Sequence, residues 1–480
     1  MEIVLTPLVD QLGHINPHYE DDFLSRSAND RVSPRYWTQG RDVAIDTVDH
    51  RLFLSDNYGH RILIFELDRL NRIQDRDAKW ALGQKDLWTS EVHSGRTASS
   101  IKLPLAVEYD DSHKRLFVAD TWNDRVLVFD MTPGQVSSGM DASYVLGQAD
   151  FTTRDTTVAA NRFYFASREG PGIYPSQSRA AEMAMDRVHQ RLFVTDGGHN
   201  RVLVFDVHPD RLRSGADAIA VIGQDDFDST EEGFSASRWK LPGNLAYDEE
   251  HERLFVEAPW ENRVLVFDVA PDELTNGMSA RIVIGQPEFT SRAPGLARNK
   301  IRQPDGISYD PVNERLHVTD KGNERVLVFD ARPSVLESYP EAIGVIGEID
   351  FDDVRMGPGN PRNHQDRLFD PRGSAFDAEQ QRLFQTEGLN TRITVFTYPR
   401  EDYDVTLPPR STLQYDSLDA GQSRDRHRAG RAPTRPRGRN TRAQRRSPKR
   451  HRYGRTFRRR ARSPVADIER ARSRRRAPPD

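Results

Sequence analysis

Residues 191–206 read RLFVTDGGHNRVLVFD, two apolar runs separated by a short turn rich in Gly and Asn, which is the pattern of a β-hairpin. Within RVLVFD the residues on both alternating faces are apolar, so this strand needs cover on both sides. The chain supplies five further copies, RLFLSDNYGHRILIF from Arg51, RLFVADTWNDRVLVFD from Arg115, RLFVEAPWENRVLVFD from Arg253, RLHVTDKGNERVLVFD from Arg315 and RLFQTEGLNTRITVF from Arg382. Successive starts are 64, 76, 62, 62 and 67 residues apart. That spacing is too long for a lone hairpin, and the remaining strands flank it: LAVEYD, NLAYD or GISYD before, YVLGQADF, AVIGQDDF, IVIGQPEF or GVIGEIDF after. Six four-stranded sheets, each apolar on both faces, bury themselves by stacking radially around an axis.

The reading is therefore an all-β, six-bladed β-propeller over residues 39–400, preceded by a lead-in at 1–38 and followed by a disordered basic tail at 401–480. No V-x-G-Q strand follows Arg392–Phe396, so the N-terminal EIVLTP segment is expected to close the ring as the outer strand of the sixth blade.

These repeats resemble the NHL family, whose unit runs from a Pro and a small residue through an apolar strand ending in Asp to a V-x-D-turn-N-R-V hairpin and an F-D end. The likeness extends over about residues 39–400 and implies the six-bladed architecture shared by NHL and TolB-like proteins. Two copies depart from it, with Ala258 and Glu387 standing where the others have Asp56, Asp120, Asp196 and Asp320. The third blade also lacks the leading Pro-Gly pattern.

What recurs in every copy belongs to architecture. Arg61, Arg125, Arg201, Arg263, Arg325 and Arg392 each follow the hairpin turn, five residues after the acidic position, and are expected to tie hairpin and neighbouring blade together by charge-assisted hydrogen bonds. What differs between copies is free to serve function. At the start of the inner strands the equivalent positions are Asp42, Ala106, Glu182, Asn244, Gly306 and Gly373, with Asp305 adjacent. Asp42, Glu182, Asn244 and Asp305 would supply oxygen ligands at the channel mouth for a hard divalent cation, Ca or Zn, the one cofactor the sequence offers; water in a polar channel mouth is the plainer reading. Such ligands are similar to those of lactonase-type six-bladed propellers, which implies a metal-dependent hydrolase or lyase as the alternative function.

Tyr58, Trp122 and Trp260 occupy the hairpin turn where other blades have Gly198, Gly322 and Leu389. Large rings at hairpin tips suit a protein, peptide or polymer ligand, or else fold over the blade edge. The 76-residue step reflects an insertion at 154–178 whose Phe163, Tyr164, Phe165 and Tyr174 form either a lid over the mouth or a packing flap. His317, alone within a strand, reads as core. There is no G-x-S-x-G elbow, Gly-rich phosphate loop or H-E-x-x-H, so the expected function is a non-enzymatic binding scaffold working through one loop-rich face.

Composition sets the remaining expectations. There is no cysteine, which excludes disulfides, thiolate metal sites and a cysteine nucleophile. Met1–Gly13 lacks a basic n-region and a long apolar stretch, and no run approaches the roughly 18 apolar residues of a membrane span, so a soluble, cytoplasmic monomer is the default. Residues 421–480 carry a net charge of +19 and residues 1–420 carry −23. The tail cannot build a core. Its Arg content with Tyr453 and Phe457 suits nucleic acid or another anionic surface, although attraction to the acidic blades and an out-of-frame reading of GC-rich DNA give the same composition. An acidic propeller repels phosphate backbones, so only the tail could bind RNA.

Overall fold

The structure is a computed structural model that describes residues 3–4, 10–13, 33–73, 75–165, 181–348, 350–352, 368–388 and 392–398. It is a six-bladed β-propeller. The third blade shows the unit: Met183–Asp186, Arg191–Asp196, Arg201–Asp206 and Ala220–Ile222 pair antiparallel in sequence order from the axis outward. The other inner strands begin at Gly40, Val107, Leu245, Ile307 and Pro371. Among the described residues the only helical segments are single 3₁₀ turns at the hairpin tips, and no helix is long and apolar enough to cross a membrane.

The core lies between blades. One cluster joins Phe193, Val202 and Ile222 of the third blade to Trp239, Leu254 and Leu265 of the fourth, and the same exchange recurs around the ring. Full burial of each such side chain is worth about 1.5–3 kcal/mol, and none of it is available to an isolated sheet.

Buried charge joins the blades on the lower face, where inner strands turn back. In the first four blades the first Arg of the RLF segment pairs with the Asp that ends the inner strand and donates to a backbone carbonyl of the next blade: Arg51 to Asp46 and Met131, Arg115 to Asp110 and Val207, Arg191 to Asp186 and Val269, Arg253 to Asp248 and Ala331. Arg382 of the last blade reaches Leu70 O of the first at 2.9 Å, and Asn71 donates to Asp377.

The hairpin arginines act differently from the expectation. Their carboxylate pairing is as predicted, with both partners fully buried in Arg61–Asp56, Arg125–Asp120, Arg201–Asp196 and Arg325–Asp320. Their other donors, however, reach the connections that arrive at and leave the same blade rather than a neighbouring sheet. Arg125 donates to Phe151 O beyond its own outer strand and to Ser100 O before its own inner strand. Arg201 does likewise with Phe227 O and Ala159 O. The Gln of V-x-G-Q adds a second clamp: Gln224 Nε2 donates to Asn200 O and Glu231 O, and its Oε1 accepts from Glu231 N. The upper-face loops are thus fixed by the repeat itself.

Ring closure also corrects the sequence reading. Ile3–Val4, within EIVLTP, pairs parallel with Gly344–Val345 as a fifth strand of the fifth blade. The outer strand of the sixth blade is Asp10–Gly13, antiparallel to Arg392–Val395. The reason lies in how each outer edge is covered. In earlier blades the loop before a blade's outer strand reaches back to the preceding outer strand, as Gly139 N to Ala81 O, Gly215 N to Val145 O and Tyr339 N to Val283 O. The sixth blade takes its outer strand from the N-terminus, so the residues before that strand inherit the covering role, which blunts an otherwise open edge.

Candidate functional site

Inner strands enclose an axial cavity of about 390 Å³. Five residues of strand separate Asp42 at its upper end from Thr47 at its lower rim, roughly 16 Å of depth. Its middle wall is small: Ala44, Ala184, Ala246, Ser308 and Ala375 line it, with Glu108 as the one charged member of that layer. The lower end opens among the turns bearing Thr47, Asp111, Glu249 and Glu379. At the upper end Asp42, Glu182 and Asn244 line the cavity, and beyond them Arg41, Asp305 and Arg372 narrow the space to about 10 Å³, room for one water at most.

The four candidate ligand residues share this upper end but have different partners. Asp42 Oδ2 accepts from Val107 N at 3.0 Å. Asp305 Oδ2 is held by Lys321 Nζ at 2.7 Å and Arg372 Nη1 at 3.1 Å, and both cations also contact Asp370. Asn244 Nδ2 donates to Glu257 Oε2 at 3.1 Å. Glu182 keeps its side chain within the cavity lining, nine-tenths buried, and its carboxyl has no hydrogen-bond or ion-pair partner among the described residues. No group of three His, Cys, Asp or Glu side chains among the described residues is placed to hold a metal ion.

Glu257 is the residue that sequence reasoning missed. Its position carries Ser55, Thr195, Thr319 and Thr386 in four other blades, whose hydroxyls donate to backbone or side-chain oxygens. Glu257 instead accepts from Asn244 N, Asn244 Nδ2 and Gly306 N. The signal was available as one carboxylate in a column of hydroxyls. At the lower rim Arg187 lies in the cavity lining: Nη2 donates to Glu108 Oε1 at 3.0 Å and to Tyr109 O at 2.8 Å, while Nε and Nη1 stand 3.5 and 3.8 Å from Asp111 and Glu249.

Burial dominates the electrostatics here. It pushes Asp42 and Glu108 up to about 7 and Glu257 up to about 8, and raises Glu182 well above the usual carboxylate range, with Asp42, Asp305 and Glu257 adding repulsion at Glu182. In the unfolded chain these groups ionise near 4. Between that value and about 7–8 the folded state therefore binds more protons than the unfolded one, and stability falls as pH rises, by at most about 1.4 kcal/mol per pH unit for each shifted group. Urea midpoints are expected to decline from pH 5 to pH 8, and Glu182→Gln to make that decline shallower; a midpoint rising over the same range would refute these proton affinities.

The aromatic candidates separate. Trp260 is 53% exposed. Tyr58 and Trp122 are half-buried, Trp122 beneath the Lys102 ammonium at 5.2 Å. Phe163 and Phe165 lie in the core, stacked at 4.7 Å between the second and third blades, rather than on a lid. Phe163 sits sixteen residues after Gly147, as Trp239 after Gly223 and Ile301 after Gly285. Each packs directly on its glycine, which holds positive φ of 78°, 91° and 87°, so a Cβ there would strike the anchor side chain. Tyr164, half-buried, fills the next shared position, its N–H bonded to Asp196 as Lys102 N is to Asp120 and Arg302 N to Asp320. The extra length of the third repeat therefore follows Phe165, and Tyr174 with the rest of that insertion lies outside the described residues, as does the basic tail. His317 is core, its Nε2 2.6 Å from Tyr398 Oη and its ring stacked on Phe376.

The fold and its lined channel define a β-propeller. No family model matches the chain, and no curated protein matches it. Among solved structures it is similar to the β-propeller domain of Cps50 (Swd1) from Myceliophteria thermophila, with 10% identity and a TM-score of 0.40 over 75% of this chain and 98% of that one.

Proposed function

We propose that this protein is an NHL-type propeller acting as a non-enzymatic scaffold, which engages a protein, peptide or polymer ligand on its upper, loop-rich face. The observation that carries this reading is the contrast within that face. Its loops are clamped by the repeated Arg and Gln side chains, so the surface is preorganised and little ordering entropy is lost on binding. Yet it presents large apolar groups that the repeat does not require: Trp88 is 67% exposed, Trp260 53% and Phe234 39%. Rigid aromatics on a fixed face are the usual anchors of recognition. The test is a random-peptide display selected on the full chain. Selected peptides are expected to lose at least about tenfold in affinity for Trp260→Ala combined with Trp88→Ala, at unchanged melting temperature. Peptides that bind both proteins equally would overturn the assignment of the face.

A further inference from the structure

The upper end of the axial cavity combines three features. Glu182 is a carboxyl nine-tenths buried that lines the cavity and has no partner among the described residues. A buried carboxyl without a hydrogen-bond partner is costly, and the Arg41 guanidinium, which lines the same narrow end, offsets part of that cost through space. Asp42 lines the same end from the first blade, and Asn244 from the fourth. The amide nitrogen of Asn244 donates to Glu257 Oε2, which leaves the Asn244 carbonyl oxygen for a donor.

The approach to this end is a passage walled by Ala44, Ala184, Ala246 and Ala375. At the lower rim the Arg187 side chain, a cation on an unbranched stem, contacts Glu108 and lies near Asp111 and Glu249. It neutralises the lower carboxylates, whereas at the upper end Arg41 acts on Glu182 through space. A divalent metal suits the site less well: no three acidic or imidazole groups converge among the described residues, and Asp305 is engaged by Lys321 and Arg372. An ammonium has three donors, matched by Glu182, Asp42 and the Asn244 carbonyl.

We propose that the upper end of the axial cavity is a binding site for a primary ammonium carried on an unbranched aliphatic chain, entering from the lower face, with Glu182 as its counter-ion and Asp42 and Asn244 as further acceptors. A free diamine or polyamine has this chemistry; a lysine side chain is much shorter than the channel and does not reach this end from the lower face.

Titration calorimetry of the full chain tests it with 1,5-diaminopentane, spermidine and a tetrapeptide containing one lysine. Saturable one-to-one binding of the two amines is expected. Glu182→Gln should weaken it at least about tenfold and Asp42→Asn several-fold, whereas Asp272→Asn combined with Glu341→Gln, on exposed outer loops, should change it less than twofold. Binding of the amines and not of the peptide supports the site, and tighter binding of the peptide would overturn it. Absence of saturable binding, or equal losses in the channel and outer-loop variants, would overturn it, the latter showing general attraction to an acidic surface. So would calcium or zinc binding that depends on Glu182 and that the amines do not displace. Melting curves of Glu182→Gln at pH 8 separate loss of the site from loss of the fold. None of these outcomes depends on the upper-face peptides.

Discussion

Deletion of residues 1–13 is expected to lower the melting temperature steeply and to replace one cooperative transition with a broad one. Asp10–Gly13 forms four cross-strand pairs with Arg392–Val395, and Ile3–Val4 forms two with the fifth blade. At roughly 1 kcal/mol per ladder bond, removing both strands costs on the order of 5 kcal/mol, a large share of the 5–15 kcal/mol typical of a domain. Ile393 and Phe396, both fully buried, would lose the strand that covers them. The deletion also removes the strand by which the chain ahead of the first blade is fastened to the sixth, so the seam would be left to the packing of Phe384, Ile393 and Val395 on Trp37 and Leu54 and to the bonds of Arg382 with Leu70 O and Asn71 with Asp377. A synthetic peptide of residues 1–20 should restore the transition in a concentration-dependent manner, as strand addition does. Unchanged melting of the deleted protein would show that these strands do not close the ring.

That seam marks where the sequence was read correctly in outline and wrongly in detail. The number of blades, their four strands and the burial of both faces followed from six copies of one hairpin. The closing strand did not, because EIVLTP is the more apolar segment and draws attention as a strand. The better guide was register: Leu12 pairs with Ile393 as Leu146 pairs with Val126, so the Leu-Gly step of DQLGH matches the Leu-Gly step of YVLGQ, with His14 in the place of Gln148. The aromatic cluster at Phe163 stayed ambiguous for a related reason. Taken as the content of an insertion it read as either a lid or a packing flap, whereas counted from Gly147 it falls on the anchor position that Trp239 and Ile301 hold after Gly223 and Gly285.

The channel was legible only in part. Aligning repeats exposes which residues depart from the pattern, and so brought Asp42, Glu182 and Asn244 together; the structure does place them at one end of one cavity. Alignment does not reveal partners that cross between blades. Nothing in the sequence links Arg187 of the third blade to Glu108 of the second, or Lys321 to Asp305 and Asp370, because these pairs depend on how sheets stack around the axis. The lower opening is likewise a property of the ring, and it moves the accessible end of the channel to the face opposite the hairpin tips.

The fourth blade permits the sharpest test of the buried ion pairs. Its hairpin has Ala258 where other blades carry the acidic partner of the arginine, and the counter-ion has moved to Glu261 in the turn, whose Oε2 accepts from Arg263 Nε at 3.0 Å and Nη2 at 2.9 Å. Both side chains are at most 1% exposed. The same carboxylate accepts from Lys240 N, as Asp120 accepts from Lys102 N in the second blade, so the substitute reproduces both functions of the missing Asp. Glu261→Ala leaves a buried guanidinium without its carboxylate, and breaking such a pair costs about 3–5 kcal/mol. Ala258→Asp in that background should recover most of the loss, because it restores the arrangement in which Asp196 meets Arg201 at 2.8 Å. Ala258→Asp alone, with Glu261 retained, puts two carboxylates on one arginine and should destabilise the protein. Urea unfolding of the three variants decides the matter: if the double variant is no more stable than Glu261→Ala, the Asp position and the turn Glu are not interchangeable partners of the hairpin arginine, and the repeated pair owes its stability to something other than neutralising that charge.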